Sequence, residues 1–135
     1  MRVVQGFSDA AAYQGGWVAI GNFDGVHRGH REMIGALVEH ARRAGVRAVV
    51  FTFEPHPISL LRPRQMPPAL TTLPRKLELL EATGVDTVLV YPTDRALLEM
   101  TARQFFDQII VAELRTAGLV EGPNFYFGRG REGSI

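Results

Sequence analysis

A single run, Trp17-Val-Ala-Ile-Gly-Asn-Phe-Asp-Gly-Val-His-Arg-Gly-His30, limits what this chain can fold into more than any other stretch. It begins as an apolar strand with Val18, Ala19 and Ile20, passes through a turn containing Gly21 and Gly25, and continues into an amphipathic helix. Glycine lets a backbone bend sharply and approach a ligand closely. A helix N-terminus presents unpaired amide N–H groups and a partial positive charge, so a strand, glycine turn and helix in this order predict an anion site, above all for phosphate. His27 and His30 stand at i and i+3 and share one face of the opening helical turn.

An imidazole donates hydrogen bonds to phosphate oxygens, and its ordinary pKa of about 6.5 lets a nearby phosphate turn it cationic. Two such donors suit the charge that develops on a triphosphate when its α-phosphorus is attacked, which is electrostatic catalysis without a covalent intermediate. Two other readings of the pair stand beside this one: a helix cap or partly buried packing residues, and zinc ligation. Zinc has little support, because the chain has no cysteine and His40 and His56 are not at ligand spacing.

The rest of the chain alternates apolar runs with helical patterns. Val18–Ile20, Ala48–Phe53, Thr87–Tyr91 and Leu119–Val120 read as buried parallel strands. Met33, Ile34, Leu37, Val38 and Ala41 recur at helical spacing, with Gly45 placed to end that helix. A second helix is predicted from about Thr72, with Pro74 in its first turn and a stop at Gly84. A third starts at a capping box, Thr101-x-x-Gln104, and ends before Gly118. Alternation of this kind predicts a doubly wound parallel sheet, whose ligands bind at the carboxyl ends of the strands. The segments following the four strands are Gly-Asn-Phe-Asp-Gly25, Glu-Pro-His-Pro57, Pro-Thr-Asp94 and Gly-Pro-Asn-Phe125, so every chemically distinctive stretch falls on one rim.

Composition narrows the class. A length of 135 residues, 46% of them hydrophobic, suits one domain with one core. The net charge of +1 supplies no broad field for nucleic acid. Without cysteine there is neither a disulfide framework nor a thiol nucleophile. No stretch approaches the roughly 18 apolar residues of a membrane span, and the N-terminus has no signal-peptide pattern, so a cytoplasmic protein is expected. Fourteen of the 15 basic residues are arginine and the remaining one is Lys76, a compositional bias that also suits phosphate contacts.

Six of the eight prolines lie between Pro55 and Pro74, which reads as a long stiffened loop, either a lid over the rim or a surface excursion. Within it, His56 between two prolines either faces a ligand or is simply a restrained loop residue. Asp94 is read as capping the segment after its strand in preference to binding a metal. Phe125, Tyr126 and Phe127 either stack on a flat ring or anchor their loop. Gly128-x-Gly130-x-x-Gly133 matches the dinucleotide fingerprint in letters only, since no helix follows to receive a pyrophosphate. Lys76 follows Arg75 where a Walker A motif needs glycine, so no P-loop is encoded.

Gly21-x-Phe23-Asp24-Gly25-x-His27-x-Gly29-His30 is similar to the signature of the HxGH nucleotidyltransferases. Together with Thr52-Phe-Glu-Pro-His-Pro57, Leu70-Thr-Thr72, Lys76-Leu-Glu-Leu-Leu80 and Asn124-Phe-x-Phe-Gly128, it resembles the FMN adenylyltransferase module of bacterial bifunctional riboflavin kinase/FAD synthetases, from about Arg2 to Gly133. The resemblance implies a Rossmann-like α/β domain over residues 1–135 that transfers AMP from ATP to FMN, with Mg²⁺ accompanying ATP. It further implies catalytic roles for His27, His30 and Asn124. Nucleotide contacts are implied at Gly21, Asn22, Phe23, Asp24, Gly25 and Gly29, and flavin contacts at Pro55, His56, Phe125 and Phe127. Members continue with a further strand, a Ser/Thr-rich segment ending in arginine, and a riboflavin kinase barrel. The expectation is therefore a C-terminally shortened nucleotidyltransferase domain that lacks its last strand and carries no kinase domain, the kinase being covalently linked in the full-length protein. A flavin- or nucleotide-binding fragment without catalysis, and a nucleotidyltransferase with another phosphorylated acceptor, are the alternatives. Neither nucleic acid nor membrane is an expected partner.

Overall fold

The computed structural model describes residues 1–21, 23, 28–54 and 72–120, with residues 28, 29, 126–127 and 133–134 described by backbone alone. Five strands form one parallel sheet: β1 (Arg2–Gln5), β2 (Trp17–Ile20), β3 (Ala48–Glu54), β4 (Thr87–Pro92) and β5 (Gly118–Val120), in the order β1-β4-β3-β2-β5. The four predicted strands are all present, each within a residue of its expected bounds. β1 is the addition. It pairs with β4 at the sheet edge, and only Val4 of its four residues is buried, so no apolar pattern announces it.

Alternation along the strands divides the core in two. Val18, Ile20, Val49, Phe51, Phe53 and Leu89 point to one face, covered by α1 (Ala10–Tyr13), α4 (Arg95–Glu99), α5 (Ala102–Phe105) and a π-helix (Phe106–Glu113). Ala19, Val50, Val88 and Val90 point to the other, covered by α2 (Arg28–Ala44) and α3 (Leu73–Glu81). Helices on both faces of a parallel sheet make this the expected doubly wound, Rossmann-like α/β fold.

The helix limits follow from local chemistry. Gly45 and Gly84, at φ +70° and +87°, take the left-handed conformation that lets the chain leave α2 and α3. Thr72 caps α3, its side chain accepting from the Arg75 amide, with proline in the first turn. Asp94 caps α4, accepting from the Leu97 amide at 2.8 Å, so the capping reading of that residue holds. The Thr101/Gln104 capping box forms reciprocally at the start of α5. From Phe106 the third predicted helix widens into π geometry, shown by the Leu114 amide bonding the Ile109 carbonyl at 2.8 Å. The wider turn buries Ile109 and Ile110 side by side against the sheet.

Candidate functional site

In a parallel sheet every strand ends on the same edge, so Ile20, Glu54, Pro92 and Val120 deliver the segments that follow them to one rim. The strand order adds a position along that rim. From β2 the chain winds outward through β3 and β4 by way of α2 and α3 on one face, then returns across the other face to place β5 on the opposite side of β2. The direction of winding therefore reverses between β2 and β5. Outside the carboxyl ends of such a strand pair lies the crevice where open α/β sheets bind ligands. The glycine turn leaves β2 and the segment containing Asn124 leaves β5, so the two most distinctive motifs depart from the two strands that flank the crevice.

The beginning of the turn is held to the sheet. Gly21 donates its amide to the Phe51 carbonyl at 3.1 Å, extending the β2–β3 ladder by one bond. A Cβ at Gly21 would lie 3.2 Å from the Phe23 ring, a close contact that would push the ring aside by a few tenths of an ångström. Phe23 itself stands at φ +54°, a conformation that costs a non-glycine residue free energy and is sustained here by burial of its ring among Ala19, Ile34 and Val50. Sequence reasoning assigns Phe23 to nucleotide contact; its ring is 2% exposed and belongs to the core.

His30 lies in the first turn of α2, half-buried, with its ring edge-on to Phe23 at 5.4 Å between centroids and 68° between planes. The histidine ring thus packs against a buried core ring. Gly29 belongs to the helix backbone. Asn22, Asp24, Gly25, His27, Pro55, His56, Asn124 and Phe125 lie outside the described residues, as does the long proline-rich loop. Phe127 is described by its backbone, which pairs Phe127 with Gly133 in a short antiparallel ladder of β6 (Tyr126–Phe127) and β7 (Gly133–Ser134). Gly133 therefore sits in a strand, in keeping with the rejection of the dinucleotide fingerprint.

One polar pair in this region is missed by motif reading. Thr52 and Lys76 are buried at 0% and 2% exposure, and the Lys76 ammonium donates to the Thr52 hydroxyl at 3.3 Å. Thr52 follows directly on Phe51, whose carbonyl anchors Gly21. A signal did exist in the sequence. Lys76 falls on the apolar stripe of α3 formed by Leu73, Leu77 and Leu80, where a charged residue is rarely placed without a reason. Among the described residues, no three His, Asp or Glu side chains gather closely enough to hold a metal ion.

The strand order defines a doubly wound α/β protein whose sheet switches direction between β2 and β5, with His30 in the helix that follows β2. Comparison with known proteins carries the class to a family: the model described as FAD synthetase matches residues 9–135, and the chain belongs to that family. It is 40% identical over 137 residues to the bifunctional riboflavin kinase/FMN adenylyltransferase of Escherichia coli (strain K12), a match that covers 100% of this chain and 44% of that protein. The bifunctional riboflavin kinase/FMN adenylyltransferase of Pseudomonas fluorescens is 38% identical over 136 residues, covering 100% of this chain and 43% of its own length. The chain thus spans less than half the length of these curated relatives. Among solved structures, a macrolide-efflux protein from Streptococcus pneumoniae superimposes with a TM-score of 0.81 at 23% identity, covering 98% of this chain and 44% of that one. At that identity the likeness concerns the fold alone. No helix among the described residues is long and apolar enough to cross a membrane.

Proposed function

We propose that residues 1–135 form the nucleotidyltransferase domain of an FMN adenylyltransferase, which joins ATP and FMN to give FAD and pyrophosphate. The observation that carries this reading is the position of the glycine turn and His30 at the switch between β2 and β5, in a chain of the FAD synthetase family. The phosphate of FMN attacks the α-phosphorus of ATP in line; the bond from that phosphorus to the bridging oxygen breaks, and pyrophosphate leaves. A phosphate monoester is already ionised near neutral pH, so the nucleophile needs no protein base. Alignment and charge stabilisation are what the protein supplies.

In this mechanism the turn amides from Gly21 to Gly25 and the imidazoles of His27 and His30 hold the triphosphate. Asn124, on the segment after β5, places the reacting phosphate from the other side of the crevice. Pro55, His56, Phe125 and Phe127 are assigned to the flavin. Mg²⁺ would enter with ATP and neutralise charge on the polyphosphate. The relatives' names join this activity to riboflavin kinase, so we read a covalently linked kinase region of the longer protein as the source of FMN. ATP as substrate implies a cytoplasmic location.

The test is incubation with ATP, Mg²⁺ and FMN, with FAD and pyrophosphate separated by chromatography. FAD formation is expected, slowed on the order of 100-fold or more in a folded His30→Ala variant. A folded wild-type chain that makes no FAD, or a His30→Ala variant that makes it at the wild-type rate, overturns the assignment.

A further inference from the structure

We propose that the outer side of α2 is an interface for a second copy of this chain, the two α2 helices crossing antiparallel at Gly35 with Arg31 of each paired to Glu39 of the other. The inference is independent of the nucleotide reading above. It starts from a glycine that the chain's own packing does not require. Gly35 lies near the middle of the 17-residue helix α2, where glycine weakens a helix relative to alanine. It is exposed, and among the described residues nothing comes within 4 Å of a Cβ placed there. Neither a left-handed turn nor a close neighbour within the chain accounts for the missing side chain; a close approach from outside does. Beside it, Arg31, Gly35, Leu79, Ala82 and Thr83 line a groove of about 370 Å³ between α2 and α3, so the surface next to the glycine is concave and partly apolar.

The charges along the helix decide what fits. Arg31, Gly35 and Glu39 stand four residues apart and are all exposed, so they form one ridge, while Ile34, Leu37 and Ala41 are buried against the sheet. A two-fold axis through Gly35, perpendicular to the helix, carries the position four residues before it onto the position four residues after it in the other copy. The first is positive and the second negative, so the ridge is complementary to its own two-fold image, as an isologous contact requires. Ridges of residues four apart interdigitate at about −50°, and with no side chain at the crossing point the helix axes can approach to about 8 Å. The groove at Leu79 and Ala82 then has room for side chains of the crossing helix. Glu39 also pairs with Arg43 of its own helix, but both side chains are exposed, so that pair is weak and a carboxylate has acceptor capacity for both arginines. A parallel crossing would set arginine on arginine and glutamate on glutamate, and a uniformly acidic or basic partner would meet one like charge for every opposite one.

Sedimentation velocity of the 135-residue chain tests the proposal. One crossing helix pair is a small interface, so a dimer with a Kd on the order of 10–100 μM is expected, visible at concentrations up to about 500 μM. Gly35→Ala is expected to raise the melting temperature and to weaken the dimer about fivefold or more, because the added Cβ holds the helices apart. A glycine that is merely tolerated predicts the raised melting temperature with unchanged association, and that result overturns the proposal. Arg31→Glu and Glu39→Arg each set two like-charge pairs across the axis, and each variant alone is expected to stay monomeric where the wild type dimerises. An equimolar mixture of the two variants restores both opposite-charge pairs and is expected to form a heterodimer with a Kd within about threefold of the wild type, weakening as salt is raised. A wild-type chain that stays monomeric overturns the proposal and leaves the groove to another partner. Single variants that associate as the wild type does, or a mixture that stays monomeric while the wild type dimerises, overturn it by placing the contact elsewhere on the molecule.

Discussion

The two faces of the sheet solve different problems with the same strands. On the face beneath α1, α4, α5 and the π-helix, rings meet rings. Phe51 packs edge-on to Phe53 at 5.2 Å and stacks with Tyr91 at 5.8 Å, while Phe7 touches Tyr91 at 5.0 Å and Tyr13 at 6.0 Å. Tyr13 bonds Glu113, tying α1 to the end of the π-helix. On the opposite face the aliphatic core gives way near the rim to Thr52, Lys76 and His30, and Phe23 adopts a left-handed backbone beneath them. The aromatic face is optimised for cohesion. The polar face carries a buried lysine bonded to a threonine and, in Phe23, a left-handed backbone residue.

The contrast is sharpest when mass is taken from the aromatic face. Phe51→Ala, at a fully buried position with four ring neighbours, is expected to cost roughly 3–5 kcal/mol in thermal or denaturant unfolding and to leave the ATP affinity of the folded fraction unchanged. An equal loss of affinity in the folded fraction would break the division between the faces. A smaller effect is expected at the foot of the polar face, far from the rim. There Trp17 stacks on His40 at 4.6 Å, and a Cβ at Gly118 would fall within the indole. Gly118→Ala is expected to cost about 1–3 kcal/mol, read as a lowered melting temperature, with ligand binding intact. Charge and strain would then be confined to the rim end of that face.

The smallest effect is one of pH. Burial first, then the hydrogen bond and negative charge of Glu113, raise the Tyr13 phenol above its ordinary value of 10.0. Burial and Asp94 raise Tyr91 in the same direction. A folded state that keeps these protons after the unfolded chain has released them loses stability as pH climbs. The contribution is whole below about pH 10 and falls above it. Tyr13→Phe is expected to flatten this alkaline decline in denaturant titrations and to cost about 1 kcal/mol at neutral pH through the lost hydrogen bond. An undiminished decline in the variant would place its origin elsewhere.

Legibility followed the range of the interactions involved. Thr72, Asp94, Thr101 with Gln104, Gly45 and Gly84 all act on backbone within four residues of themselves, and each is found in the role that its letter and spacing predict. The apolar runs of β2 to β4 were equally plain, because strands buried on both faces need little else; Leu119–Val120, read as buried, forms the edge strand β5 and is only half-buried, since among the described residues no strand covers its outer side. Of the motif at Gly21 to His30, the strand before the turn and the helix after it are found as its letters predict, because both are set by consecutive residues. Less visible were β1, whose exposed residues carry no periodicity, and the π-helix, whose extra residue per turn is selected by the packing of Ile109 and Ile110 against the sheet.

By itself, then, the sequence determined strands β2 to β5, the helix caps, the parallel class of the sheet and which segments leave its carboxyl rim, because each of these depends on neighbours along the chain or on the shared direction of the strands. Tertiary structure alone decided that β5 joins β2 and so where the switch point lies, that Phe23 supports His30 from below, and that Lys76 turns inward to Thr52. These are contacts between residues far apart in the chain, and their free energy is realised only when two helices and three strands close around them.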